Sequence, residues 1–176
     1  MKPSISTGRG DDGSTDLIGG QRISKSSVRM FAIGSIDELN ASVGRVLAEG
    51  QMPAALRSSL EQIQRTLFAV GADLASPAGS VRLPEAAVQV LEQWGVSLES
   101  ELPALTRFIL PGGCMLAVLL HQARVACRRA ERWCVALKES EAVAPAVLLY
   151  LNRLGDVLFL AARMANKLAG VEDRLV

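Results

Sequence analysis

The 176-residue chain is 49% apolar and 21% charged, with a net charge of +1. That balance fits one globular domain with a sizeable core; it excludes a disordered chain and gives nucleic acid no basic surface to grip. Aromatics make up only 4%, so the core must be packed through aliphatic side chains, and the abundant Leu and Ala favour helices. Cys114, Cys127 and Cys134 are odd in number and lack CxxC spacing. They read as buried thiols of a reducing cytoplasm, with neither a zinc site nor a disulfide framework. The N-terminus has no apolar stretch of the signal-peptide kind, and the run Met115 to Leu120 is far too short to cross a bilayer. The expectation is a cytoplasmic protein with no membrane partner.

Residues 1–33 combine glycines with short polar and charged residues, and read as a loop with little regular structure. Ser35, with Glu38 three residues on, has the form of a capping box, so the first helix is expected to begin there. Ile36, Leu39, Val43, Val46 and Leu47 keep helical spacing until Gly50 and Pro53. Asp37, Asn40 and Gly44 lie on another stripe, and Gly44 leaves room for a neighbouring backbone. A second helix runs from Pro53 to Ser76, followed by a connection from Pro77 to Leu83. A third runs from about Pro84 to Leu102, where Pro103 stops it.

Phe108 to Gly113 is a short apolar segment ending in a Pro-Gly-Gly turn. Cys114 to Glu139 is helical and cationic in its middle, and Ala144-Pro145 opens a last helix. No period-two pattern of strand length stands out. Five helices, the last two longest, is the expected architecture.

Three groups of residues could carry chemistry. In the fourth helix Arg124, Arg128 and Glu131 stand at i, i+4 and i+7, on one face. Guanidinium forks there suit phosphate or carboxylate oxygens; a solvated cationic stripe is an equal alternative on this motif alone. In the last helix Asn152 and Asp156 lie one turn apart, with Arg153 beside them. In the opening loop Gly10, Gly13, Gly19 and Gly20 allow backbone N–H groups to converge on an anion. Thr7, Ser14 and Thr15 add hydroxyls, Lys25 a charge, and Asp11 and Asp12 metal or ribose contacts. Gly19 to Ser26 nearly matches a Walker loop, but Ser24 replaces its second glycine, no buried strand precedes it and no parallel sheet is expected to hold one.

Taken in order, the blocks T-x-x-G-D-x-G-x-T from Thr7, G-x-x-D-E-L-N from Gly34, F-x-L-P-G-G from Phe108, R-x-x-C-R-R-x-E-R from Arg124 and L-N-R-L-x-D-x-L-F-x-x-A-R from Leu151 make a pattern. It resembles the PduO-type ATP:cob(I)alamin adenosyltransferases over nearly the whole chain. The resemblance implies an all-α, ferritin-like five-helix bundle in a single domain over residues 1–176. Within it, 1–33 would be the ATP-binding loop and 34–170 the bundle. It implies a homotrimer with sites between subunits, and transfer of the 5′-deoxyadenosyl group of ATP to Co(I) of reduced cobalamin, with Mg²⁺ and release of triphosphate.

By the same resemblance Thr7, Gly10, Asp11, Gly13, Thr15 and Lys25 would wrap ATP, with Arg128, Glu131 and Asn152 acting on the nucleotide. Arg124 would pair with Asp37 of the adjacent subunit. Phe108 would crowd the lower face of the corrin, removing the lower axial ligand and easing reduction of the cobalt; simple core packing of Phe108 is the plainer alternative. Gly8, Phe31, Cys114 and Gly155 depart from the family's usual residues. His121, the lone histidine, is expected on a helix surface or an interface with no role as a cobalt ligand. A cobalamin reductase and a B12-dependent acceptor enzyme are the partners such an activity calls for. A non-catalytic carrier or sensor of ATP or adenosylcobalamin on the same fold is the rival reading.

Overall fold

The computed structural model describes residues 7–50, 52–77, 79 and 81–176. Residues 1–6 of the expected opening loop, and 78 and 80 of the expected connection, lie outside the described residues. Five helices follow a small hairpin: α1 Val28–Leu47, α2 Ala54–Leu74, α3 Ala86–Glu101, α4 Met115–Lys138 and α5 Pro145–Leu168. α4 is the centre of the bundle, packed between α1 and α5, while α2 lies on α1 and α3 lies on α5. The buried face of each helix is the aliphatic stripe that its 3.6-residue period dictates, with Leu39, Leu60, Leu67, Leu120, Leu151, Leu154 and Leu158 fully enclosed.

The first helix starts seven residues before Ser35. Its cap is Ser27, whose hydroxyl accepts the Met30 N–H at 3.3 Å. Ser35 is instead a buried mid-helix residue, and Glu38 pairs with Arg129 of α4. Tertiary contacts hold the extra two turns in the helix despite Gly34. Ala32 is fully buried, and Phe31 stacks on Trp133 of α4 with ring centroids 4.8 Å apart. The buried Arg29 donates to Glu141 and to the Leu74 carbonyl. One guanidinium thereby joins α1, the end of α2 and the α4–α5 connection.

The expected structureless loop also contains a ladder. β1 Ser14–Asp16 pairs antiparallel with β2 Arg22–Ser24, with Thr15 opposite Ile23. At its tip Leu17 is buried, and the Ile18 N–H donates to the Ala75 carbonyl at 2.9 Å, which seats the hairpin on the end of α2. Gly44 leaves room for a side chain, not a backbone: Gln64 crosses there to donate to the Asn40 carbonyl at 3.2 Å. α5 is 24 residues long with a mean hydropathy of 1.4 over its most apolar window, enough by length and composition to span a membrane. Half of that window is buried inside the bundle. Its hydrophobicity is accounted for by the faces it buries against α4 and α3.

Candidate active site along the α4 and α5 groove

α4 and α5 run antiparallel, so their facing residues can be followed in order along one groove. At one end Asn152 Nδ2 donates to Glu131 Oε1 at 3.1 Å. Arg153 completes that end, bonding Asn152 Oδ1 at 3.0 Å and Glu92 of α3 at 2.9 Å. One turn along, Gly155 faces Arg128, whose Cγ would stand 3.9 Å from a Cβ at that position. The glycine gives the Arg128 stem room to lie along the helix with its guanidinium exposed and unpaired among the described residues. A turn further, the Arg124 guanidinium carbon lies 5.4 Å from the centre of the Phe159 ring. The two arginines and Glu131 therefore share the face that their spacing predicts.

The far end of the groove is built by residues that sequence reasoning passed over. Asn166 is buried, accepts the Cys114 N–H at 3.0 Å, and donates to the Gly112 carbonyl at 3.0 Å and to Asp173 at 3.3 Å. Arg163, also buried, donates to Asp173 at 2.8 Å and to the Pro103 carbonyl at 2.9 Å. Together they clasp the Pro-Gly-Gly turn to α5 and to the tail. The signal was present at the end of the last motif: an arginine and an asparagine at i and i+3 on an otherwise apolar face. Gly113 is needed here twice over, for its φ of 109° and because a Cβ would stand 2.0 Å from Asn166.

Beyond the turn, Leu110 N–H donates to the Arg174 carbonyl and Val176 N–H to the Phe108 carbonyl. This short bridge, Ile109 opposite Leu175, turns Phe108 outward. Its side chain is 86% exposed, which overturns core packing as the account of that residue. It borders a depression of about 450 Å³ shared with Leu105, Thr106, Arg107 and Val176.

The hairpin is the third component. Gly8, Gly13, Gly19 and Gly20 all adopt positive φ. Lys25 Nζ folds back to the Gly10 carbonyl at 2.7 Å, and its N–H bonds the Gly13 carbonyl. A side chain at Gly10 would strike that ammonium, 2.9 Å from the Cβ position. Asp12 is taken up by structure: it accepts from the Ser14 hydroxyl at 2.6 Å, the Ser14 N–H at 2.9 Å and Arg22 at 3.1 Å. Those bonds, the Ser14 hydroxyl first, hold its carboxyl well below the usual carboxylate range. Asp16 is bound by Arg9 and Arg22. Asp11, by contrast, is exposed and has no ion-pair partner among the described residues, and the Thr7 hydroxyl accepts only the long Arg9 N–H bond at 3.5 Å there.

Within the chain the predicted residues fall into separate groups. No hydrogen bond or ion pair joins the hairpin to Arg128, Glu131 or Asn152 among the described residues. Asp37 is exposed on α1 beside Phe68 and Asn40, and forms no ion pair with Arg124 of its own chain. A cavity of about 710 Å³ between α2 and α3 over Tyr150 is lined by none of the predicted site residues. His121, expected on a helix surface or an interface, is already buried within the single chain. Of the three thiols Cys127 and Cys134 are buried and Cys114 is half-buried.

The family model for cobalamin adenosyltransferase matches residues 5–165. The chain belongs to the cobalamin adenosyltransferase family. A cobalamin adenosyltransferase of Cupriavidus metallidurans is 43% identical over 97% of this chain and 92% of its own length. A corrinoid adenosyltransferase of Bacillus subtilis is 46% identical over 95% of this chain and 89% of its own. Among solved structures, a phenylalanine-to-alanine variant of a PduO-type ATP:corrinoid adenosyltransferase from Lactobacillus reuteri, complexed with cobalamin and ATP, superposes with a TM-score of 0.94. It is 40% identical, covering 98% of this chain and 99% of that one. An arginine-to-lysine variant of such an enzyme from the same organism, complexed with ATP, has a TM-score of 0.91 at 40% identity, covering 98% of this chain and 99% of that one. For a cobalamin adenosyltransferase, the separation of hairpin, groove and Asp37 within one chain is the geometry to be explained.

Proposed function

We propose that this cobalamin adenosyltransferase moves the 5′-deoxyadenosyl group of ATP to the cobalt of a reduced corrinoid. Co(I) supplies the electron pair for the new Co–C bond, the C5′–O bond breaks, and triphosphate leaves with the electrons of that bond. Because the corrinoid is itself the nucleophile, the protein's share is to hold C5′ in line, meet the charge of the leaving group and exclude water.

The observation that carries the reading is the α4/α5 groove. It has an unpaired guanidinium and the Glu131–Asn152 pair at one end, and an outward-turned Phe108 on a braced turn at the other. Thr7, Gly10, Asp11, Gly13, Thr15 and Lys25 hold the nucleotide. Arg128, Glu131 and Asn152 orient it, and Phe108 packs on the lower face of the corrin.

The catalytic unit is a homotrimer with its sites between subunits, where the hairpin and α1 of one copy face the groove of the next. Supporting this, among the described residues the hairpin makes no hydrogen bond or ion pair with the groove of its own chain, and Arg124 and Asp37 both lack an ion-pair partner; across the interface they pair. Mg²⁺ enters with the triphosphate: no group of three or more His, Cys, Asp or Glu among the described residues could cage a metal, and this ion is usually held by phosphates, waters and one or two carboxylates. Asp11 is the free carboxylate placed to touch its shell. When bound, the ion neutralises charge on the leaving group. One domain over residues 1–176, located in the cytoplasm and served by a cobalamin reductase and a B12-dependent acceptor, completes the proposal.

Given ATP, Mg²⁺ and chemically reduced cobalamin, the protein is expected to form adenosylcobalamin, seen in the optical spectrum, together with triphosphate. Arg128→Ala should lower turnover by about 10²–10³-fold with helix content unchanged. Folded protein that binds both substrates yet yields no Co–C product would establish the carrier reading instead.

A further inference from the structure

Between the nucleotide end of the groove and the Phe108 end stands a residue that no role above uses. His121 lies one turn before Arg124 on α4, is 6% exposed, and its Nε2 has no hydrogen-bond partner among the described residues. Its ring packs against Phe159 of α5 at a centroid separation of 6.2 Å and an interplanar angle of 56°. The same Phe159 ring carries Arg124 at 5.4 Å. Phe159 is thus held by two side chains from successive turns of α4. Arg124 is charged at every accessible pH; His121 is the one member of the cluster whose charge can change near neutrality.

We propose that His121 is a positioning residue for the corrinoid half of the site: its uncharged ring and the Arg124 guanidinium bracket Phe159, and this bracket keeps Phe159 and Arg124 in register with the incoming corrinoid. The proposal rests on the adenosyltransferase reading of the groove and adds to it a residue that touches neither substrate. Burial, and then the neighbouring Arg124, hold the His121 imidazole below its ordinary titration range, so the neutral ring is the resting form. The facing charges are few. Arg124 comes from α4 itself, and α5 brings the buried Arg163, which is already bonded to Asp173. Among the described residues the acid acting on it is Asp173 of the tail, already bonded by Arg163 and Asn166, and in the proposed trimer Asp37 of the partner subunit is already taken up by Arg124. A proton on His121 therefore puts a buried cation beside the half-buried Arg124 with no free anion to meet it, and the bracket opens.

The single histidine makes the test direct, since one imidazole resonance reports this ring alone. In the full-length protein it should titrate below its ordinary value, and the Phe159 ring signal should move with the same midpoint. Below that midpoint the KM for reduced corrinoid should rise about tenfold per pH unit, the loss of one neutral form, while the KM for ATP stays flat. His121→Gln should remove that pH dependence of the corrinoid KM without altering the ATP value; the chemical background of the assay is common to both proteins. A variant that keeps the wild-type dependence overturns the proposal, as does a wild-type histidine titrating at or above its ordinary value. If the variant does not fold, a Phe159 signal indifferent to the histidine titration overturns it equally. Failure to form adenosylcobalamin at any pH would refute the functional reading, whereas the bracket itself is still judged by the two resonances.

Discussion

At the scale of single residues, exposure separates the groups that hold the fold from those proposed to meet ligands. Phe108 is the clearest case, because an aromatic ring 86% exposed gains almost nothing from folding. Phe108→Ala should therefore leave the unfolding midpoint within about 0.5 kcal/mol of the parent while lowering turnover, a combination that thermal melts and steady-state rates together would reveal. The thiols show the opposite behaviour. Burial, and then Glu131, push Cys134 up to about 12, and burial pushes Cys127 higher still, its thiol donating to the Leu151 carbonyl at 3.2 Å. Neither offers thiolate near neutral pH. Labelling of the native protein with a thiol reagent should modify Cys114 first, and Cys127 and Cys134 only on unfolding. Peptide mapping reads the order.

At the scale of elements, charged and polar side chains fasten helix ends that hydrophobic stripes alone would leave free. Arg57 caps the end of α1 through the Leu47 and Glu49 carbonyls, and Asp73 at the end of α2 takes the Leu83 N–H and Arg82. The Asn166 clasp does the same for the start of α4, and it sets the direction of the Phe108 turn. Gly113→Ala puts a side chain into the left-handed region and against Asn166. It should cost about 2–4 kcal/mol, combining backbone strain with overpacking, as measured by the urea midpoint. Removing Arg29 strips Glu141 and the Leu74 carbonyl of a buried partner. About 3 kcal/mol is the expected loss for Arg29→Ala, with α1 fraying from its first two turns in amide exchange.

For the whole molecule, the proposed trimer makes each chain half of each of two sites. A groove with Arg124 and Arg128 faces one way, while the hairpin and the Asp37 face of α1 are presented elsewhere. Charge reversal tests that arrangement. Arg124→Glu should prevent assembly of the proposed trimer and abolish activity, and adding Asp37→Arg should restore both in part, as sedimentation and turnover would show. A trimer unaffected by Arg124→Glu would mean that the copies meet through another face. The stability of His121 follows the same global logic: with its folded value below the unfolded one, the unfolded chain binds the extra proton first. Stability is therefore complete above the unfolded value and declines as pH falls through and below it.

Most of the architecture was legible from residues alone. Aliphatic stripes at helical period, stopped by Gly50, Pro53 and Pro103, placed α2 to α5 within a few residues, because periodicity and chain breakers are local properties. The five ordered motifs likewise brought Arg124, Arg128, Glu131 and Asn152 onto facing helices. What only the tertiary structure decided depends on partners distant in the chain. Phe31 is helical because Trp133 is there to stack on, and residues 14–24 form a hairpin because the end of α2 receives its tip. Phe108 points outward because the tail pairs with its backbone, and His121 is buried because Phe159 covers it. No local pattern encodes those contacts, since each joins segments that come together only when the bundle closes.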